Sequence, residues 1–400
     1  MYQTPSRVNK LIWSLPWLAR YPFWRARDLV RRATEENGKP SHLIISVGNH
    51  FEPSWREQGG WLDWDAQLAR MDQWSEKARK IGHALQDFDG KPFRHTYFYP
   101  AEQYYAPLLD KAAQLQSEGF GEVEVHLHHG LEGSDTEENL RRVLVEFRDA
   151  LAEEHKCLSR MDGKGQPMYA FIHGNWALAN SAGGRYCGVD AEMHVLRETG
   201  CYADFTLPSA PDQSQVPRIN AVYTCGHPLT EARPHRSGSS LRVGKAPSLP
   251  VIFTGPLVFD WTRRLRGFPI PRMDDGSLAA NYPPSHARLE RWRNAHVSVV
   301  GRPEWVFIKL FSHGFFDHDQ DAQIGDGMRR FLEGALELAH RTGDFKLHFA
   351  TSRETFNIAL AAVEGRVGEP GKYRDYRLRQ IMQEKAEKSA TVSARTEFSS

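Results

Sequence analysis

The sequence predicts an α/β protein in which parallel strands alternate with helices to form a barrel, and three observations carry that reading. Short strand-like runs recur at residues 43–47, 96–99, 122–128, 169–173, 204–206, 251–253, 306–310 and 346–350. Helical stretches separate them, clearest at 61–86, 106–118, 136–154, 191–199 and 328–342, each with apolar residues three or four apart. No GxGxxG turn follows the first strand, so the competing open, dinucleotide-binding sheet has no support.

Taken in chain order, residues 1–40 are basic and aromatic. Trp13, Trp17 and Trp24 stand among Arg20, Arg25, Arg27, Arg31 and Arg32, and Pro16 and Pro22 divide the segment into short helical pieces. Such a segment packs on the domain with its arginines outward, or makes a weak contact with an anionic membrane surface. Residues 41–380 carry the strand and helix alternation. Within them, 224–248 shifts to Gly, Pro, Ser, Arg and His and reads as a long surface excursion. Beyond Met382 the chain turns to Lys, Glu, Ser and Thr, so 381–400 reads as a frayed, disordered tail.

Composition narrows the function. The 400 residues carry a formal charge of +1, which argues against a nucleic-acid partner. Eighteen His and an aromatic content of 11% supply groups that transfer protons and stack on sugars. Cys157, Cys187, Cys201 and Cys225 form no CxxC pair and read as reduced, buried thiols. No apolar run reaches the length of a membrane span. The short apolar stretch at 11–19 contains Pro16 and leads into Arg20 without a small-residue cleavage site, so export is rejected and a cytoplasmic location expected.

The segment 123–130 is the most telling. Val123, Val125 and Leu127 point one way along a strand, so Glu124, His126 and His128 project from the other face, with His129 just beyond. Histidines one pleat apart at a strand's carboxyl end can bind a divalent cation or work as acid and base. In a parallel barrel the chemistry sits where strands end. The other ends supply Asn49, His50 and Glu52 after the first strand, then His173, Asn175 and Trp176, then Asp204, and finally His313. Trp176 can stack under a pyranose ring or be core, and Asn175 can bind a hydroxyl. Asp204 can hold a histidine's second nitrogen or cap the following loop. His83, His155, His286 and His340 fall among the helices and read as surface or packing residues.

Several phrases carry a family resemblance: His50-Phe-Glu-Pro53, Phe98-Tyr-Pro100, Glu122-Val-Glu-Val-His-Leu-His-His129, Phe171-Ile-His-Gly-Asn-Trp-Ala-Leu178, Gly200-Cys-Tyr-Ala-Asp-Phe-Thr206, Gly301-Arg-Pro-Glu-Trp-Val-Phe307, His348-Phe-Ala-Thr-Ser-Arg-Glu354 and Tyr373-Arg-Asp-Tyr376. Their order, over residues 42–377, resembles the polysaccharide deacetylases among carbohydrate esterases, and specifically a deacetylase-like branch found with exopolysaccharide genes. The resemblance implies a distorted (β/α) barrel of about seven strands. It also implies a divalent metal, zinc first with cobalt or nickel as alternatives, held by an Asp and two His. The metal polarises an acetamide carbonyl and activates a water, an acid takes the water's proton, and a late histidine protonates the leaving amine.

Carried over position by position, the imidazole ligands fall on His126 and His128 and the general acid on His313. The first motif departs, because Gly48 and Asn49 stand where the family has two adjacent acids. Asn49 then replaces the carboxylate ligand, His50 adds a third nitrogen, and Glu52 becomes the base. The ligand histidines are also one residue apart rather than four. His129, His173, Asn175, Trp176 and Asp204 remain for the saccharide. The function implied is removal of N-acetyl groups from a saccharide or polysaccharide. Two alternatives stand beside it: a glycan-binding protein with a degenerate metal site, or a glycosidase pairing Glu52 with Asp204 or Glu354.

Overall fold

A computed structural model describes residues 6–35, 41–57 and 59–383. Its strands are β1 (Ser41–His50), β2 (His95–Pro100), β3 (Gly121–Leu127), β4 (Ser159–Met161), β5 (Lys164–His173), β6 (Cys201–Asp204), β7 (Ala221–Cys225), β8 (Gly238–Ser240) and β9 (Val251–Thr254). A hairpin follows in which β10 (Val258–Asp260) pairs with β13 (Arg272–Asp274), enclosing β11 (Arg264–Leu265) and β12 (Phe268–Pro269). The last strands are β14 (Trp305–His313), β15 (Phe345–Phe349) and β16 (Leu378–Gln380). The helices are α1 (Arg7–Leu18), α2 (Tyr21–Glu35), α3 (Trp64–Ala84), α4 (Ala106–Ser117), α5 (Glu137–Glu153), α6 (Glu192–Glu198), α7 (His286–Ala295), α8 (Gln320–Gln323), α9 (Asp326–Thr342) and α10 (Ser352–Val363).

The main sheet runs β14-β1-β2-β3-β5-β6-β9-β7-β8 and curls into a half-barrel. Pairing along this order is parallel from β14 through β9 and antiparallel where β7 and β8 extend the edge, and off it β4 pairs antiparallel with both β5 and β16. These last two strands flank and enter the 224–248 excursion, which the composition had suggested was surface loop alone. β1 is forked: β14 lies along one edge, while β15 pairs with residues 41–45 and β2 with residues 48–50 on the other.

Strand alternation divides the core. Leu43, Ile45 and Val47 of β1, with Val123, Val125 and Leu127 of β3, face the outer helix layer with Met71, Trp74, Leu109 and Leu144. Ile44, Phe98, Ala170, Ile172 and Phe307 face the concave side. That side is plugged by α10, all of whose residues are buried. A helix buried around its whole circumference has no solvent-facing side, and for that reason its pattern shows no surface stripe to read in the sequence.

Charges secure the plug. Thr351 and Glu354 form a capping box, and Arg353 bonds Glu122 and Asp375, both at 2.7 Å. Burial alone would raise the Glu354 carboxyl, but Arg94, Arg374 and Arg353 outweigh it and hold the pKa at about 2. Glu354 is thus held by Arg94 and Arg374 as part of the plug, whereas the partners of Glu52 are histidines.

In the N-terminal segment Trp17 is buried and stacks on Phe259 at 5.6 Å, so α1 packs on the domain. Val8, Leu11, Ile12, Leu15 and Phe23 stay exposed. Among the described residues no helix is long and apolar enough to cross a membrane. The tail expected to be disordered lies, from residue 384 on, outside the described residues.

Candidate functional site

Parallel register assembles the site. His50 ends β1 directly beside His313, which ends β14, and Pro100 of β2 pairs with His126 of β3. His50, His126 and His313 share the concave face at the carboxyl ends of their strands. The ring centroids are 4.8 Å apart for His50 and His126, 4.5 Å for His50 and His313, and 4.6 Å for His126 and His128.

Glu52 sits among these rings. Its Oε1 lies 3.4 Å from His128 Nε2 and 4.0 Å from His126 Nε2, and its Oε2 lies 3.5 Å from His313 Nδ1. Burial would raise this carboxyl, but the surrounding His313, His128 and His126 rings prevail and hold it well below the usual carboxylate range.

Each imidazole has a distinct setting. His126 Nδ1 is 2.7 Å from the carbonyl of Ile172, which can only accept, so the proton sits on Nδ1 and Nε2 presents a lone pair. That Nε2 is buried and has no hydrogen-bond partner. Burial, then the charge of His128, lowers the His126 pKa to about 3, and burial with His313 and His126 lowers His50 well below its ordinary value. His128 goes the other way. Burial opposes its charge, but its Nδ1–H donates to Glu102 Oε1 at 2.7 Å, and with Glu52 this raises the pKa to about 8. Glu102 Oε2 also accepts the His128 backbone N–H at 3.2 Å.

Two neutral imidazoles and a carboxylate, His50, His126 and Glu52, offer donor atoms within 4.8 Å of one another. With the unpartnered His126 Nε2 among them, this set fits a divalent cation of the zinc, cobalt or nickel kind.

Beside the cluster a groove of ≈ 830 Å³ is lined by Trp61, Glu102, Tyr104, His128, Leu131 and Phe147, among others. Trp61 is 57% exposed, an available platform for a sugar face. On the other flank Phe316 stacks on His313 at 4.7 Å and packs against Trp55 at 3.9 Å.

Other expected site residues lie elsewhere. Asn49 does not join the ligands: one residue from His50, it faces the outer layer, where its Oδ1 accepts the Gly314 N–H at 2.8 Å and its amide lies 3.5 Å from His95. Asp204 does not meet sugar or histidine. Fully buried, it takes the Thr206 hydroxyl at 2.7 Å and backbone N–H at 3.1 Å, which makes it the loop cap. Burial, despite the Thr206 hydrogen bonds, raises its pKa to about 7. Asn175 and Trp176 have left-handed backbones, φ 54° and 55°, in the loop after β5. Trp176 is half-buried and lines a separate pocket of ≈ 190 Å³ with Lys10, Pro208 and Phe311.

His129 and His173 meet each other rather than the cation ligands. Their rings are 4.8 Å apart, and both face Glu192, at 3.3 Å and 3.5 Å. His173 is fully buried and His129 nearly so, which removes His173 from any role on an open substrate surface. Its register partner is Leu127, so it points outward while neighbouring Ile172 points inward with His126.

Glu102, Glu192 and Cys187 went unrecognised in the sequence. Glu102 falls two residues after the end of β2, so the strand-end rule, applied to every strand, would have found it. Glu192 opens α6 and Cys187 precedes it in a loop, and no local pattern ties either to a histidine.

No protein-family model matches the sequence, and no curated protein matches it. Among solved structures the chain is similar to a GH57 branching enzyme from the hyperthermophilic archaeon Thermococcus kodakaraensis, in complex with glucose, at 14% identity and a TM-score of 0.34. The match covers 77% of this chain and 70% of that one. A likeness this loose fixes neither family nor activity.

Proposed function

We propose that the protein is a metal-dependent hydrolase that removes N-acetyl groups from a saccharide or polysaccharide. The observation that carries the reading is Glu52, a largely buried carboxylate ringed by His50, His126, His128 and His313 at the carboxyl ends of parallel strands. The motif wording shared with polysaccharide deacetylases supports the amide as the bond attacked.

His50, His126 and Glu52 would hold the cation, zinc in the first instance. When bound, it supplies Lewis-acid polarisation of the acetamide carbonyl. Glu52 thereby moves from expected base to ligand, because its carboxylate shares the space of the two neutral imidazoles. The proton-transfer roles then follow from the remaining rings. His128, kept charged by Glu102 to about pH 8, donates its Nε2 proton to the departing amine. His313, whose buried Nδ1 lies 3.5 Å from Glu52 Oε2, accepts the proton of the attacking water. This reverses the acid role expected for His313, since of the two rings His128 is the one with a carboxylate fixing its proton. The groove with Trp61 at its rim receives the saccharide, and an open channel of this size suits a short stretch of chain.

The test is acetate release from an N-acetylated oligosaccharide, followed by NMR with zinc-loaded protein and with His126→Ala. Acetate from the wild type alone supports the assignment. Oligosaccharide binding without any release identifies a lectin-like protein, and new reducing ends without acetate identify a glycosidase. Either result removes the deacetylase reading.

A further inference from the structure

We propose that His129, His173, Cys187 and Glu192 form a second metal site, a closed structural one of the zinc type that clamps the loops around the substrate groove. All four side chains are buried, and their donor atoms lie within 4.8 Å of one another. The spacing fits a single ion. Glu192 Oε1 is 3.3 Å from His129 Nε2 and 3.5 Å from His173 Nε2, and Glu192 Oε2 is 3.4 Å from Cys187 Sγ. Zinc bonds of 2.0–2.3 Å in a tetrahedron imply donor separations of about 3.3–3.6 Å.

Both imidazoles are oriented as ligands are. His129 Nδ1 is 2.9 Å from Asp135 Oδ2, and His173 Nδ1 faces the carbonyl of Gly174. A ligating histidine fixes its free nitrogen on just such a carboxylate or carbonyl, leaving the other nitrogen aimed at the metal.

Hydrogen bonding alone does not complete this cluster. Cys187 and His129 can share the Glu192 carboxylate, but His173 Nε2, on a ring with no exposed surface, is left without a hydrogen bond. An orphaned buried nitrogen is costly, and an ion at the centre satisfies it together with the other three donors. Loading releases to solvent the Cys187 thiol proton and the second ring proton of His129, whose Nδ1 faces Asp135 and whose Nε2 faces Glu192, so that thiolate, carboxylate and neutral imidazoles surround the cation. Closure on all sides marks a structural site rather than a catalytic one, which would keep a position open.

The consequence reaches the groove. His129 adjoins His128 in sequence, and residues 129–135 line the groove together with His128. Cys187 belongs to the long connection between β5 and α6, which carries left-handed residues at Asn175, Trp176, Ala179, Asn180 and Tyr186, and Glu192 is the first residue of the helix that it leads into. One ion joins these two loops to the end of β5.

Cobalt(II) alone tests the proposal, because among the clusters of the described residues this one contains sulfur and the Glu52 cluster has none. Cobalt-loaded protein is expected to show a near-ultraviolet thiolate-to-cobalt absorption. The band should persist in His126→Ala and vanish in Cys187→Ser, with loss of about one equivalent of cobalt per chain. Absence of the band from cobalt-loaded wild type, or its survival in Cys187→Ser, overturns the site. Should Cys187→Ser fail to fold, zinc-edge X-ray absorption of the wild type decides: a sulfur neighbour at about 2.3 Å supports the site, and nitrogen and oxygen neighbours alone refute it.

Discussion

Two clusters of imidazoles gather around two glutamates, and they differ in what surrounds them. Around Glu52 His50 and His126 are buried, but the rest of the ring keeps contact with solvent, 14% exposed at Glu52, 20% at His128 and 28% at His313. Around Glu192 exposure falls to 5% at His129 and to 0% at His173 and Glu192. The two are separated by the thickness of one sheet. His126 on β3 points to the concave side, while His173, paired with Leu127, points to the helix layer. Alternation along a strand therefore sorts chemically identical rings into an open site suited to reaction and a closed one suited to structure.

Four experiments test that contrast. The largest effect is expected in the open cluster: His128→Gln should lower amide hydrolysis about a hundred- to ten-thousandfold with the melting temperature unchanged. A fall in melting temperature as large as the fall in rate would merge the two clusters into one structural core. Next comes the closed cluster, where Glu192→Ala strands buried partners and should cost about 3–5 kcal/mol by urea unfolding. A loss below about 0.5 kcal/mol would place Glu192 with ordinary surface residues instead.

The third prediction concerns acid stability. Glu354, held at about 2 against an unfolded value of 4.5, adds stability that is complete above pH 4.5 and lost as pH falls toward 2. Melting temperature scanned from pH 6 to pH 2 should fall steeply in that window, and in Glu354→Gln the fall should be shallower. An unchanged slope would assign the acid limb to the clusters rather than to the α10 plug.

The smallest effect separates adjacent tethers, Glu102 on His128 and Asp135 on His129. Glu102→Gln should cost about ten- to a hundredfold in rate and move the alkaline limb downward from about pH 8, since the carboxylate is what raises His128. Asp135→Asn should leave the rate profile in place and loosen metal retention. Identical pH profiles for the two variants would erase the distinction.

Much of this was legible in the residues. The expected helices at 106–118, 136–154 and 191–199 correspond to α4, α5 and α6 within a residue or two, because amphipathic faces on exposed helices announce themselves. His126 and His128 share a face because alternation demands it. α10 escaped notice because burial on every side removes periodicity, and β7 and β8 because short edge strands in a Gly- and Ser-rich stretch look like loop. Asn49 was assigned by analogy of position, and a single step of strand parity turned it away.

By itself the sequence determined where strands stop, and hence which His, Glu and Asp residues stand at the rim of the sheet, since apolar periodicity and its interruptions are local. Partners at that rim were a tertiary decision. Parallel register set His50 beside His313, the return of the 174–191 loop and the start of α6 brought Cys187 and Glu192 to His129, and the fork at β1 opened space for α10. The physical reason is distance along the chain: contacts spanning tens to hundreds of residues depend on how whole layers pack, and no local pattern encodes them.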